Sequence, residues 1–140
     1  MTYRTLDHTA DLALEVTAGS LESLFAESVR ALTDCMTRLE QVILEVNHEV
    51  AMAAPELDRL LVDLLNEVVF LHETKALVFS EASLAIAETE SGWSLSGTLG
   101  GEQFDLERHG FKTLIKAVTY HQLSVQSSPD GWVARIVFDI

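Results

Sequence analysis

Asp7-His8-Thr9-Ala10-Asp11-Leu12-Ala13-Leu14-Glu15-Val16 changes character at Asp11. Two carboxylates, an imidazole and a hydroxyl stand within Asp7–Asp11. From Asp11 onward, polar and apolar residues alternate with the two-residue period of a strand. A strand beginning there turns Asp11, Ala13 and Glu15 to one face and Leu12, Leu14 and Val16 to the other. The apolar set should face a core, which leaves the Asp11 carboxylate outside it at a strand end. Two readings stay open: a carboxylate available to a cation, or a turn in which Asp and Thr bond their own backbone.

The far end of the chain bears on that choice. Trp132, Ala134, Ile136 and Phe138 share one face of a last predicted strand, and Val133, Arg135, Val137 and Asp139 share the other. The sequence stops at Ile140, so an α-carboxylate is expected directly beside the Asp139 carboxylate. Asp11, Asp139 and the Ile140 carboxylate would form an oxygen set for a hard cation if the two ends meet.

Between these ends the pattern predicts two helices and several strands. Arg4 to Asp7 closes a short first strand. Ser20 is a good N-cap, with Glu22 in the first turn. Leu21, Leu24, Phe25, Leu32, Cys35 and Met36 follow at helical spacing, with an acidic, solvated opposite face. Val42 to Val50 alternates as a half-buried strand, placing His48 on the apolar register as a packed residue. Pro55 suits the start of a second helix, in which Leu57, Leu60, Leu61, Leu64, Leu65, Val68 and Leu71 make it the central core helix. Arg59 stands one turn before Asp63, the spacing of a surface ion pair. Val78 to Ile86 and Trp93 to Leu99 form a hairpin that Gly100-Gly101 breaks. Glu102 to His109 has no clean period and is expected as a loop with a helical turn. Leu114 to Val125 is a long strand, joined to the last by a turn carrying Asp130-Gly131.

The whole is expected as one α/β domain over residues 1–140: an α+β sandwich of mostly antiparallel strands packed with two main helices. Hydrophobic residues make up 48% of the 140, enough for a substantial core. No signal peptide and no membrane-length apolar run stands out. Cys35 is the single cysteine, which excludes an internal disulfide and fits a reducing cytosol; its place in a helical apolar pattern favours a buried structural thiol. The formal net charge is −13. Such a surface repels phosphate backbones, disfavours tight direct nucleic-acid binding, and suits cations and basic protein surfaces.

Catalytic signals are few. There is no CxxC, HExxH or EF-hand loop. The five histidines, His8, His48, His72, His109 and His121, lack zinc spacing. His8 near Asp7 and Asp11 could act as a base beside carboxylates, but no serine elbow or phosphate-cradling loop accompanies it.

Several stretches taken together resemble the archease family. They are Asp7-His8-Thr9-Ala10-Asp11, the helix ending Leu64-Leu65-Asn66-Glu67-Val68-Val69-Phe70-Leu71, and Leu77-Val78-Phe79-Ser80. Lys116-Ala117-Val118-Thr119-Tyr120-His121 and the terminal Val137-Phe138-Asp139-Ile140 complete them. Gly101-Glu102-Gln103-Phe104-Asp105 is similar to the family's Gly-Glu-Pro-Phe-Asp loop, with Gln103 in place of proline. The resemblance spans the whole chain in the family's order. It implies a small α/β protein that binds a divalent cation, calcium first, with magnesium or manganese as alternatives. It further implies a non-catalytic activator of the RNA-splicing (tRNA) ligase, which promotes guanylylation of that ligase and its multiple turnover in tRNA splicing and RNA repair. GTP would belong to the ligase. Carried over by motif, the metal ligands match Asp11, Asp139 and the terminus at Ile140. The alternatives are a metal-dependent phosphoesterase using His8 with Asp11, and a chaperone-like interaction module. A cytoplasmic location is expected.

Overall fold

The computed structural model describes residues 2–6 and 11–140, with the side chains of Thr5, Leu6 and His121 outside that description. Its elements run β1 (Thr2–Leu6), β2 (Asp11–Ala18), α1 (Leu21–Met36), β3 (Val46–Ala54), α2 (Leu57–Lys75), β4 (Leu77–Thr89), β5 (Gly92–Gln103), α3 (Leu106–His109), β6 (Ala117–Ser128) and β7 (Gly131–Asp139). The strands form two sheets, β1-β2-β7-β6 and β3-β5-β4. Every pairing is antiparallel. The architecture is the expected α+β one.

Both long helices touch strands of both sheets. That explains their sequences. α2 buries Leu60, Leu61, Leu64, Leu65, Val68 and Leu71 and also Val62 and Val69, so its apolar surface is wider than one stripe. Each such leucine, removed from water, contributes about 2 kcal/mol. Pro55 and Glu56 precede the helix, and Arg59 pairs with Asp63 at 3.6 Å as its spacing predicts. α1 starts at the Ser20 cap, whose hydroxyl accepts from the Ser23 N–H at 3.1 Å. Its acidic face is less solvated than expected: Glu27 is buried, with Arg30 Nε 3.4 Å from Oε1. Burial pushes the Cys35 thiol up to about 11, which suits a structural role.

α1 also satisfies an irregular edge. Phe79 pairs with Gly101 and Glu81 with Gly100, so Ser80 is an extra residue in β4. Thr33 Oγ1 donates to the Phe79 carbonyl at 2.7 Å, and Arg30 Nη1 to the Ser80 carbonyl at 2.8 Å. The bulge thereby docks the sheet on the helix.

Three boundaries depart from the alternation pattern. The strand predicted over 42–50 begins at Val46 and runs to Ala54. A 3-10 turn occupies Leu39–Gln41, and Ile43 and Leu44 are exposed. The Ile43 N–H donates to the Glu102 carboxylate and the Glu45 N–H to the Gly101 carbonyl at 2.8 Å, so this backbone is held without a ladder. β5 does not break at Gly100-Gly101 but continues to Gln103. A Cβ on Gly101 would lie 1.8 Å from the Val78 carbonyl oxygen, so the two backbones approach where only glycine fits. The strand predicted from Leu114 begins at Ala117. The preceding segment is tied elsewhere, Lys112 N–H to the Met36 carbonyl and Lys116 N–H to that of Asp139.

Candidate functional site

The register of β2 with β7 sets Asp11 opposite Asp139, followed by Leu12 with Phe138 and Ala13 with Val137. Residues directly opposite in an antiparallel pair project to the same face with Cβ atoms about 4.5–5.5 Å apart. The two carboxylates therefore share one face at one end of the sheet. Asp139 sits in an inner strand, flanked on its other side by Ala117 of β6. The Lys116 N–H donates to its carbonyl at 2.8 Å. Ile140 follows at once and is 47% exposed.

Asn66 reinforces this end. Its side-chain amide donates to the Val118 carbonyl at 3.0 Å and its carbonyl oxygen accepts the Val118 N–H at 2.8 Å. The side chain thus closes a two-point clamp from α2 onto the start of β6, beside the Ala117–Asp139 pair. The family stretch Leu64–Leu71 carries this residue, but helical periodicity alone does not assign it a contact.

The expected sheet faces need one correction. Leu14 and Val16 are in the core as predicted, yet Ala13 and Val137, on the face of the aspartates, are buried as well. Glu15 and Arg135 are paired on that same face, and Glu15 Oε1 lies 3.2 Å from Arg4 Nε. The aspartates stand at the rim of a partly covered face.

Two carboxylates set opposite one another repel, and a cation between them would relieve that repulsion. Their oxygens are hard donors, suited to calcium, magnesium or manganese rather than to a soft metal. Among the described residues, no three side chains of the His, Cys, Asp and Glu types gather closely enough to hold a metal. The predicted set of Asp11, Asp139 and Ile140 has two such side chains and needs a main-chain carboxylate as third donor. Asp7 and His8, the remaining polar candidates near Asp11, lie outside the described residues, and with them the proposed histidine base.

A second cluster has no counterpart in the sequence patterns. Glu102 is 2% exposed and His109 is fully buried. Arg108 donates to both Glu102 oxygens, once at 2.8 Å from Nη1 and again from Nη2. The Asp105 N–H donates to His109 Nδ1 at 2.8 Å, so that nitrogen is an acceptor and the proton is on Nε2, which donates to Glu102 at 3.0 Å. These donors hold the Glu102 carboxyl down at about 2, the Arg108 hydrogen bonds most of all and against the effect of burial. Phe104 stacks on the His109 ring and meets His72 edge-on. Gln103, the departure from proline, donates to the Lys75 and Ala76 carbonyls at 2.9 and 3.2 Å, satisfying acceptors at the end of α2. The arrangement is a brace, with both Glu102 oxygens and both His109 ring nitrogens hydrogen-bonded.

Fold and site together define a small two-sheet α+β protein with an acidic end where its first and last long-paired strands meet. The archease protein family model (MTH1598/TM1083) matches residues 3–140. The protein archease of Methanopyrus kandleri is 38% identical over 140 residues, covering all of both chains. That of Pyrococcus abyssi is 35% identical over 135 residues, 96% of this chain and 95% of its own. The solution structure of Methanobacterium thermoautotrophicum protein 1598 superposes with a TM-score of 0.86 at 29% identity, over 99% of this chain and 98% of that one. A Thermotoga maritima crystal structure, described as an archease and possible chaperone, shares the fold with a TM-score of 0.59 at 24% identity, over 98% and 96% of the two chains. The chain belongs to the archease family. Among the described residues no helix is long and apolar enough to cross a membrane.

Proposed function

We propose that this protein is a non-catalytic, divalent-cation-binding activator of an RNA-splicing ligase. Membership of the archease family carries the reading. The opposed pair Asp11 and Asp139 supports it, because two facing carboxylates at a strand end favour a cation. In this reading Asp11, Asp139 and the carboxylate of Ile140 hold the ion, with calcium first and magnesium or manganese as alternatives. The bound ion supplies positive charge at an otherwise acidic tip. Asp11 and Asp139 fix its position from two paired strands, and Asn66 and the Lys116 N–H keep the adjoining backbone still. The tip is presented to the nucleotide site of the ligase, which itself holds GTP and forms the covalent guanylate. A net charge of −13 suits docking on a basic RNA enzyme and opposes gripping RNA directly.

The test is a ligation assay with the cognate ligase limiting. This protein should raise both ligase guanylylation and turnover number. Asp11→Asn and Asp139→Asn should each remove that stimulation, weaken cation binding about tenfold or more by calorimetry, and leave the melting curve close to the parent's. A chain that never stimulates its ligase overturns the proposal. Hydrolysis of simple phosphoesters by this protein alone would replace it with an enzymatic reading.

A further inference from the structure

We propose that the outward stripe of α2, with Tyr120 of β6 beside it, is the surface on which a basic face of the ligase docks. The inference rests on the ligase reading above and assigns a face to it. At 3.6 residues per turn, Glu56, Arg59, Asp63, Glu67, Phe70 and Glu73 fall along one side of the helix, and each is exposed or half-buried. The leucines at 60, 61, 64, 65 and 71 are buried. Phe70 stands outward all the same, 55% exposed, and Tyr120 is 49% exposed. The helix touches β6 and β3, the edge strands of the two sheets, and the stripe looks out between them.

The stripe is acidic in its own right. Glu56, Asp63, Glu67 and Glu73 place four carboxylates along it against the one guanidinium of Arg59. Arg59 is already engaged, 3.6 Å from Asp63 and 5.4 Å from the centre of the Tyr120 ring. The Tyr120 hydroxyl donates to Asp63 at 3.4 Å, so both groups hold the ring at the stripe's edge. Among the described residues, the carboxylates of Glu56, Glu67 and Glu73 have no hydrogen-bond or ion-pair partner. Glu56 precedes the helix without capping it, so its charge is not spent there. Neither flanking strand, β3 or β6, carries a lysine or arginine. Lys75, the other basic residue of α2, lies about 140° round the helix from Phe70. Lys116, at the entry to β6, makes no ion pair with the stripe.

These local charges choose the occupant. Unneutralised carboxylates around exposed aromatic rings suit lysine and arginine, which pair with the acids and lie against ring faces. The same carboxylates repel the phosphates of RNA and of an anionic membrane. A second copy seated on this stripe would set carboxylates against carboxylates. At the start of α2, Pro55, Glu56, Asp58, Arg59, Tyr120 and Leu123 line a depression of about 230 Å3, room for one basic side chain. The stripe also adjoins the acidic tip. Asn66 lies within it and clamps Val118, beside the Ala117–Asp139 pair. A basic surface seated on the tip can therefore continue onto the stripe, with Phe70 as its aromatic anchor.

The experiment titrates the cognate ligase into labelled full-length protein: the parent, Phe70→Ser, the double reversal Glu67→Lys/Glu73→Lys, and a control reversal, Glu88→Lys/Glu90→Lys, at the turn between β4 and β5. Phe70→Ser and the stripe reversal should each weaken ligase binding about tenfold or more, with melting curves close to the parent's because these side chains reach solvent. The stripe reversal should also make binding less sensitive to salt. The control changes net charge equally and should bind as the parent does. Guanylylation should recover when either stripe variant is supplied at saturation, since the tip is intact. Parent-like binding by both stripe variants overturns the stripe and leaves the activator reading standing. An equal loss in the control assigns the effect to bulk charge and overturns it as well. Self-association of the parent that Phe70→Ser abolishes gives the stripe to a second copy and also overturns it. A parent chain that neither binds nor stimulates the ligase overturns both readings.

Discussion

Replacing Glu102 by glutamine keeps the side chain's shape and removes its charge. The carboxylate takes hydrogen bonds from Arg108 through two nitrogens, from His109 Nε2 and from the Ile43 N–H. These contacts depress its pKa from 4.5 to about 2. A group depressed in the folded state stabilises the fold fully above its unfolded value and loses that contribution as pH falls through the folded one. The window is therefore pH 4.5 down to about 2. The depression corresponds to about 3 kcal/mol at most. Arg108 is 36% exposed, so solvent screening reduces the charge-dependent part to about 2 kcal/mol. Glutamine adds a second cost, because its amide must turn an N–H toward one of these donors, about 1 kcal/mol. Urea unfolding of both proteins, followed by tryptophan fluorescence from pH 7 to pH 2.5, isolates the effect, since every other carboxylate titrates in both. The stability gap should be about 3 kcal/mol at neutral pH and narrow by about 1.5 kcal/mol by the acid end of that range. A gap that stays constant across the range refutes the assignment of charge to this brace.

Two further outcomes follow from backbone geometry. Gly101→Ala should cost about 3 kcal/mol or more by denaturant unfolding, because the new Cβ meets the Val78 carbonyl at 1.8 Å, whereas Gly100→Ala should cost far less, since its nearest neighbour is the Leu44 Cδ2 methyl at 3.3 Å. Ala76 ends α2 with φ 53° and ψ 42°, so Ala76→Gly should raise stability by about 0.5–1 kcal/mol in the same assay.

Much of this molecule is local, and the local part is legible in the residues. The Ser20 cap, the leucine spacing of α2 and the 59–63 ion pair each depend on neighbours within a turn. The alternation around Asp11 and Asp139 likewise places each at the end of a strand. It does not pair those strands, and the family resemblance is what brings the two ends into one expectation. Glu102 is hidden for the opposite reason. Its burial depends on donors at positions 43, 108 and 109, and no periodicity links an acid to an arginine six residues on across a short helix. Gly100-Gly101 looks like a break because glycine usually weakens strands, and only the opposing Val78 carbonyl shows why one is required. The delayed start of β3 has the same origin, since Glu102 draws the Ile43 backbone away from ladder pairing.

The acidic tip and the Glu102 brace meet in the architecture through residues 110–116. Strand ends usually fray, and a ligand on a strand's last residue would then be a poor one. Here β7 is an inner strand, with Asp11 on one side of Asp139 and Ala117 on the other. Asn66 clamps Val118, and the Lys116 N–H holds the Asp139 carbonyl. The segment entering β6 is fixed in turn at the Glu102–His109 bond and at Met36. Order therefore runs from the buried brace, along residues 110–116, to the two aspartates. In the proposed reading, a site that offers a cation to another protein would gain from that order, because a ligand held in place need not be immobilised on docking. On that reading the brace would act as a positioning element for the tip through residues 110–116.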